Sequence, residues 1–288
     1  MFQTTFNVHL TCHFFPNNPL KTINAERRNS LATQFRALHK SGEPVVLCNV
    51  YDAATAGLIA ANPAAKAIAT TSYACAAVQG TDDDNMKIEQ HLAAVKTIAP
   101  VALQNGLPLT VDARDGYGDQ LEHLVTSLIE LGAVGCNLED LDSTSGQILP
   151  TEHASRRVAQ AIDAAARVGV PQFAVNARTD ILRVGGTIAD AIERGKAYLA
   201  AGATSVFVFV LDRELSREEI KALVKAFDGK LNVTLTLGPG CLTVPELKEL
   251  GVARISVGPE LFRVAMKAYD DAATKLLQAA LEPSSSQK

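Results

Sequence analysis

The stretch Ala200-Ala201-Gly202-Ala203-Thr204-Ser205-Val206-Phe207-Val208-Phe209-Val210 shows how this chain is organised. An Ala-rich helical segment ends at Gly202, because glycine adopts the positive φ that closes a helix at little cost. The run from Ser205 to Val210 is apolar without alternation, which is typical of a parallel strand covered on both faces. The stretch therefore predicts a helix, a glycine stop and a buried parallel strand.

The same arrangement recurs along the chain, for example in Glu130-Leu131-Gly132-Ala133 and Glu249-Leu250-Gly251-Val252. Eight strand-like runs alternate with helical segments, at residues 44–51, 67–72, 107–114, 134–140, 172–179, 205–210, 231–237 and 254–258. Eight strands with intervening helices predict an α/β fold of the closed (β/α)8 barrel type. An open doubly wound sheet would suit six strands better, and no Gly-x-Gly-x-x-Gly follows the first strand.

The ends of the chain complete the domain prediction. Residues 24–282 are expected to form one barrel domain, in which a helix over 24–40 covers the N-terminal end of the barrel. Residues 259–281 are predicted to be the last helix, with apolar residues on its faces. Residues 1–23 are predicted to be a flexible arm and residues 283–288 a disordered tail.

Composition excludes several classes of protein. The chain has 288 residues, 47% hydrophobic and 20% charged, with a formal net charge of -4, which excludes a disordered or fibrous protein. The mildly acidic balance provides no basic field for nucleic acid, and no apolar run is long enough to cross a membrane. The cysteines are odd in number and form no C-x-x-C pair, so we expect reduced thiols and a cytoplasmic protein. A mitochondrial location is a weaker alternative, because the first 25 residues contain no acidic residue.

Three neighbouring predicted strands end in polar residues at alternating positions. Because side chains alternate along a strand, each pair is expected to share a face: Asp112 with Arg114, Asn137 with Glu139, and Asn176 with Arg178. The carboxyl ends of barrel strands are where barrel enzymes carry their chemistry. Carboxylates there can hold Mg²⁺ through waters, and an arginine can clamp a carboxylate or phosphate. Solvated loop starts are the alternative interpretation of the same residues.

Several motifs together resemble the isocitrate lyase/phosphoenolpyruvate mutase family. They are Asn49-Val50-Tyr51-Asp52-Ala53-Ala54-Thr55-Ala56, Ala69-Thr70-Thr71-Ser72, residues 112–118, Leu138-Glu139-Asp140, Asn176-Ala177-Arg178-Thr179-Asp180 and Leu237-Gly238-Pro239-Gly240. The resemblance implies a (β/α)8 barrel whose C-terminal helix is swapped to a neighbouring subunit, in a homotetramer built as a dimer of dimers. It also implies Mg²⁺ and a reaction next to a carboxylate-bearing carbon that passes through an enolate.

The resemblance assigns roles to particular positions. Asp112 and Glu139 would be the metal carboxylates, and Arg178 would grip the substrate carboxylate. Asp83 is the expected catalytic aspartate, although Asp84 is only one residue away. Tyr51 is a further catalytic candidate. Residues of the substrate pocket would be Thr71, Ser72, Tyr73, Ala74, Arg114 and Asn176 together with Arg178.

The sequence departs from the family at two places. Arg114 stands where the family usually has an acidic residue; it could pair with Glu139 or Asp112 and weaken metal binding, or add a second anion contact. The segment 141–150 lacks the cysteine, lysine and histidine of the lyase members, and also the lysine and asparagine of the mutases. This argues against isocitrate lyase, methylisocitrate lyase and phosphonomutase activity. The segment is either a mobile lid or a plain surface loop.

The sequence therefore predicts a Mg²⁺-dependent lyase-type enzyme that cleaves a C–C bond of a small 2-oxo or 2-hydroxy carboxylate, as a lyase, decarboxylase or hydrolase. Phosphorus–carbon chemistry on phosphoenolpyruvate or phosphonopyruvate, and a catalytically silent carboxylate-binding barrel, are the alternatives. His91 and His123, both in helical segments, are expected to be solvated. Cys136 is expected to face the helices, because its parity is opposite to that of Glu139.

Overall fold

The computed structural model describes residues 24–281, so the predicted arm and tail, together with Cys12, lie outside the described residues. Within 24–281 one parallel sheet contains nine short strands. They are β1 Val45–Leu47, β2 Asn49–Val50, β3 Ile68–Thr70, β4 Leu109–Asp112, β5 Ala133–Glu139, β6 Ala174–Thr179, β7 Ser205–Val208, β8 Leu231–Thr234 and β9 Arg254–Ser256.

The sheet closes on itself. β1 pairs with β9, β2 pairs with β3, and every other strand pairs in parallel with its neighbours in chain order. Only Cys48 separates β1 from β2, so these two pieces act as the two halves of the first barrel strand. The predicted (β/α)8 barrel is therefore confirmed. Each predicted strand is present: seven are shorter than predicted, and β5 has the predicted length but begins one residue earlier.

Helices follow the strands around the outside of the barrel. In the described part of the chain they are α1 Ala25–Ala37, α2 Ala53–Ala60, α3 Ser72–Val78, α4 Ile88–Gln104, α5 Leu121–Leu131, α6 Thr151–Arg167, α7 Ile188–Ala200, α8 Arg217–Ala226, α9 Val244–Glu249 and α10 Glu260–Ala279. Capping boxes begin several of them, as at Thr187 with Asp190. Gly132 ends α5 with a φ of 105°, as the glycine stop predicts.

The covering helix predicted at the N-terminal end of the barrel is confirmed. Phe35 of α1 is fully buried beneath the strands. Gly135 of β5 makes the close approach possible, because a Cβ atom there would come within 3.1 Å of the Phe35 ring and 2.6 Å of the Ala174 carbonyl oxygen.

The interior of the barrel is polar, whereas the layer between strands and helices is aliphatic. Asn176 Nδ2 donates to Asn137 Oδ1 over 2.9 Å, and Ser205 Oγ donates to Asn176 Oδ1 over 2.6 Å. Arg254 joins the same group from β9. Because these side chains from four strands of the barrel meet, the positions 137, 176, 205 and 254 face inward. The sequence predicted that Asn137 and Asn176 share the faces of Glu139 and Arg178, but it did not indicate their bonds to Ser205 and Arg254.

Between residues 24 and 281, none of the helices has the length and apolar character needed to cross a membrane.

Candidate active site

Asp112 lies at the carboxyl end of β4 and is held on both carboxylate oxygens. Its Oδ2 accepts hydrogen bonds from the Ser72 backbone N–H over 3.1 Å and from Ser72 Oγ over 2.9 Å. Asn137 Nδ2 approaches Oδ1 at 3.4 Å. Ser72 is the first residue of α3 and follows β3 directly, so two neighbouring strands place these groups together.

Asp83 joins this group from the segment between α3 and α4. Its Oδ2 accepts from Ser72 Oγ over 3.2 Å, so one serine hydroxyl lies between Asp83 and Asp112. Burial and the nearby Asp112 carboxylate raise the pKa of Asp83 to about 6. The side chain of Asp84 is exposed instead, so the structure places Asp83, not Asp84, beside the other carboxylate.

Arg114 does not occupy the position that strand alternation predicts. β4 ends at Asp112, and Arg114 has a φ of 55°, in the left-handed region. Its guanidinium points to the segment before α4, where it donates to the Met86 carbonyl over 3.2 Å and lies 3.6 Å from Asp83 Oδ1. The expectations that Arg114 shares a strand face with Asp112 and pairs with Glu139 or Asp112 were wrong, because the strand stops two residues early. Its contact with substrate stays a prediction.

Glu139 and Arg178 face each other across the pair of strands β5 and β6. They are register partners, and Arg178 Nη1 donates to Glu139 Oε1 over 2.8 Å. Asp180 receives two further bonds from the same guanidinium, over 2.7 and 2.8 Å. The guanidinium carbon lies 3.9 Å from the centre of the Phe209 ring. Each of the three guanidinium nitrogens of Arg178 thus donates to a carboxylate.

Burial and charge set the protonation of this pair. Burial raises the pKa of Glu139 well above its usual value, although Arg178 opposes the shift. Burial alone would lower the pKa of Arg178, but Asp180 and Glu139 together raise it, so the guanidinium stays charged.

The remaining residues predicted for the pocket are placed as follows. Thr71 and Ala74 are buried around the start of α3, while Tyr73 is 45% exposed. Tyr51 packs edge-on against Phe262 of α10, with ring centres 5.1 Å apart. No hydrogen bond within residues 24–281 joins the Tyr51 hydroxyl to the carboxylates. The catalytic role of Tyr51 stays a prediction, as does substrate contact by Asn176, whose amide lies within the polar interior.

A cavity of about 400 Å³ opens beyond the ends of β7 and β8. Its walls include Phe209, Thr234 and Thr236, together with Glu260 and Arg263 from the start of α10. Because the Phe209 ring also stacks on Arg178, this space lies next to the Glu139–Arg178 pair. A small molecule held by Arg178 would have room for an additional group on this side.

The segment 141–150 is docked onto the barrel. Leu141 and Ile148 form a short bridge, and Asp115 Oδ2 accepts from both the backbone N–H and the Oγ of Ser143, over 3.0 and 2.7 Å. Asp142 caps the turn by accepting from the next two N–H groups after Ser143. Asp115 therefore anchors the segment near the mouth, while its opening as a lid stays a prediction.

A buried polar cluster that the sequence did not predict lies beneath the two ends of the segment 141–150. Asp140 Oδ2 accepts from Tyr198 Oη over 2.5 Å and from Arg194 Nη1 over 3.0 Å. Arg194 also donates to the Leu149 carbonyl, and Asp140 Oδ1 accepts from the Asp180 N–H. The only sequence signal was an arginine and a tyrosine four residues apart on an amphipathic helix, which resembles an ordinary solvated face.

The expectation that His91 is solvated was wrong. The ring is fully buried, and Nδ1 lies 3.0 Å from the Tyr117 hydroxyl, because α4 turns this side chain toward the loop after β4. Burial lowers the pKa of His91 to about 4. His123 is exposed as predicted, and Cys136 is buried.

The carboxylates at the mouth fit a hard divalent cation that keeps several water ligands. Asp83 and Asp112 lie either side of one hydroxyl, and the charges of Asp112 and Asp83 both raise the pKa of Glu139. Such mutual repulsion is relieved by a cation. No group of three or more His, Cys, Asp or Glu residues within 24–281 is arranged to enclose a metal by itself, so waters would have to complete the shell.

A closed barrel with acidic groups and an arginine at the carboxyl ends of its strands defines a (β/α)8-barrel enzyme with its site at that mouth. The chain belongs to the phosphoenolpyruvate phosphomutase family, whose model matches residues 35–277. This confirms the predicted isocitrate lyase/phosphoenolpyruvate mutase relationship and makes the chain an enzyme of the lyase and mutase type.

Individual relatives agree with this assignment. An uncharacterized protein of Mycobacterium tuberculosis is 30% identical over 83% of this chain and 87% of the relative. A probable 2-methylisocitrate lyase of Corynebacterium glutamicum is 30% identical over 61% of this chain and 59% of its own length. The crystal structure of a putative phosphonomutase from Burkholderia cenocepacia is 34% identical, covers 86% of this chain and 99% of its own, and superposes with a TM-score of 0.78.

Proposed function

We propose that this chain is a Mg²⁺-dependent enzyme that cleaves a C–C bond of a small 2-oxo or 2-hydroxy carboxylate through an enolate. The observation that carries the proposal is the meeting of two groups at one mouth: Asp112 and Asp83 joined through Ser72, and Glu139 paired with Arg178. Both groups act on each other electrostatically, since Arg178 lowers the pKa of Asp83 and Asp112 raises that of Arg178.

Each residue of the site would have a distinct role in this reaction. Asp112 and Glu139 would hold the metal, which supplies positive charge where an enolate oxygen develops negative charge. Arg178 would exchange its bond with Glu139 for a bidentate grip on the substrate carboxylate, while Asp180 keeps the guanidinium in plane. The Ser72 N–H and hydroxyl, which both donate to Asp112 in this structure, would be shared with the other end of the substrate and orient it. Asp83, with a pKa near neutrality, would accept or return the proton at the reacting carbon.

The residues of the segment 141–150 restrict which C–C cleavage reactions this site can carry out. It contains no cysteine, lysine or histidine that could protonate a departing fragment, and its Ser143 is bound to Asp115. Decarboxylation needs no such acid, and hydrolytic cleavage needs only a water activated by Asp83 or Glu139. A 2-methylisocitrate lyase among the relatives supports C–C chemistry in general.

Two other functions have specific support. A putative phosphonomutase is 34% identical to this chain, which favours phosphorus–carbon chemistry. Arg114, where the family usually has an acidic residue, and the segment 141–150, which lacks an acid for the departing fragment, favour a catalytically silent carboxylate-binding barrel.

A substrate screen decides among these. Oxaloacetate, dimethylmalate, methylisocitrate and phosphonopyruvate would be tested with and without Mg²⁺, using Asp112→Ala and Arg178→Ala variants and the exposed Asp119→Asn as control. We expect Mg²⁺-dependent turnover of one of the three carboxylic acids, reduced at least about 100-fold in the two site variants and unchanged in the control. Turnover of phosphonopyruvate alone would identify the mutase chemistry. Equal turnover in wild type, Asp112→Ala and Arg178→Ala would refute the site.

We also propose that the protein is a cytoplasmic homotetramer, with α10 packed on a neighbouring subunit and with no nucleic acid or membrane partner. In support, residues 24–281 of one chain bury none of the residues of α10, and they leave Tyr269, Leu276 and Leu277 each at least 70% exposed. The thiols of Cys48, Cys75, Cys136 and Cys241 are free, as in a reducing compartment.

A further inference from the structure

Arg254 is a buried cation whose charge has no carboxylate partner in the part of the chain that the structure describes. It lies in β9, is 1% exposed, and is the largest fully buried side chain of the described structure. Among residues 24–281 no acidic oxygen lies within 4.0 Å of its guanidinium, and Nε and Nη1 have no hydrogen-bond acceptor. Burying an unpaired charge costs free energy, so an arginine at this position is expected to serve a purpose other than stability.

Among the described residues, the Arg254 side chain makes one hydrogen bond, to Asn137. Its Nη2 donates to Asn137 Oδ1 over 2.9 Å, and Asn176 Nδ2 donates to the same oxygen over 2.9 Å. A guanidinium can only donate, so the oxygen of the Asn137 amide must face Arg254. The amide is therefore fixed in one of its two possible orientations, with Nδ2 on the opposite side.

That fixed Nδ2 faces the carboxylate of Asp112. It approaches Oδ1 at 3.4 Å, while Oδ2 is held by Ser72. A flipped Asn137 would turn its own oxygen toward the carboxylate and repel it. The orientation of Asp112 at the mouth of the barrel thus depends on a donor in the interior.

We propose that Arg254 is the positioning residue of this site: acting through Asn137, it fixes the carboxylate of Asp112 in the orientation that receives a divalent cation. The guanidinium is retained despite the cost of burial because Lys, Gln or an apolar residue would leave the Asn137 amide less firmly oriented. The metal part of this inference rests on the proposed function, whereas the orienting part does not.

The first test measures Mg²⁺ affinity by isothermal titration together with the melting temperature. Arg254→Met should weaken Mg²⁺ binding roughly 10-fold, the usual effect of losing a partner behind a metal ligand. Its melting temperature should be unchanged or higher, because an unpaired buried charge has been replaced by an apolar group of similar size. Arg254→Lys, which keeps a donor toward Asn137, should bind Mg²⁺ more tightly than the Met variant. As a control, Arg36→Met changes an arginine of α1 at the N-terminal end of the barrel and should leave the Mg²⁺ affinity unchanged.

A double-mutant cycle separates positioning from a direct effect of charge. Asn137→Ala should weaken binding as much as Arg254→Met, and the double variant should be no weaker than either single variant. Independent, multiplicative losses would overturn the proposed route through Asn137, as would an unchanged affinity in Arg254→Met.

Crystal structures of wild type and Arg254→Met provide a readout that needs no metal. We expect the Asp112 carboxylate of the variant to rotate away from Asn137 or to occupy two conformers. A carboxylate unchanged in the variant would overturn the inference. If wild type fails to bind Mg²⁺ while the variant shows the rotation, the proposed function fails and the positioning role stands.

Discussion

At the level of single residues, the charged groups at the mouth of the barrel leave an excess of negative charge. Four carboxylates, Asp83, Asp112, Glu139 and Asp180, surround two guanidiniums, Arg114 and Arg178. Four negative and two positive charges leave a formal charge of -2 when all are ionised, which matches one divalent cation. Arg114 stands where the family usually has an acidic residue. Its guanidinium contacts the segment that holds Asp83 and does not pair with Asp112.

His91 makes stability depend on pH. Burial lowers its pKa to about 4, whereas an unfolded histidine titrates near 6.5. Between these values the unfolded chain binds the extra proton, so the free energy of unfolding falls as pH drops, by about 1.4 kcal/mol per unit and about 3 kcal/mol in total. We expect His91→Gln, measured by urea unfolding from pH 7 to 4.5, to show a shallower decline than wild type.

The exposed His123 provides the control for this measurement. His123→Gln should follow the wild-type curve. Burial lowers the pKa of His39 as well, to about 3, but that contribution is common to all three proteins and cancels in the comparison. Identical slopes for wild type and His91→Gln would contradict the buried, neutral state of His91.

At the level of elements, hydrophobic pattern and glycine stops predicted every strand and the two terminal helices, because a strand covered on both faces leaves an unbroken apolar run. The pairs Asn137 with Glu139 and Asn176 with Arg178 also followed from alternation along β5 and β6. Alternation failed at Arg114, since nothing in the sequence marks the end of β4 at Asp112. It could not show the role of Arg254 either, because a single arginine in an apolar strand does not reveal which interior partners it meets.

Helix α7 packs closely against the end of α8 because Gly195 has no side chain at the contact. A Cβ atom at Gly195 would lie 2.3 Å from Cζ of Phe227 and 3.0 Å from Val206. Gly195→Ala should therefore destabilise the protein by about 1–3 kcal/mol through overpacking, even though alanine favours helix. The measurement is the free energy of unfolding in urea.

Gly57 in α2 is the matched control, because a Cβ atom there meets nothing within 4 Å. Gly57→Ala should stabilise the protein by about 0.5–1 kcal/mol. If both substitutions stabilised the protein, the result would contradict the close contact between Gly195 and Phe227.

Across the molecule, the barrel is closed, but residues 24–281 of one chain do not cover its last helix. Phe262 anchors the first turn of α10 against Tyr51, while Tyr269, Leu276 and Leu277 remain exposed. If a neighbouring subunit covers this helix, then Tyr269→Glu combined with Leu276→Glu should reduce the assembly to smaller species in sedimentation velocity. Lys275→Glu, an exposed charge on the same helix, should leave the wild-type assembly intact. A wild-type protein that sediments as a monomer would contradict the proposed tetramer.

The central claim is that one cavity holds a divalent cation and an arginine on opposite sides of a small anion. A crystal structure of the wild-type protein with Mg²⁺ and oxalate tests it most directly, since oxalate resembles a planar enolate and needs no turnover. We predict the cation beside Asp112 and Glu139, with oxalate near Ser72 at one end and bound to Arg178 at the other. Cation and oxalate bound at separate places, or neither bound at saturating concentration, would contradict it.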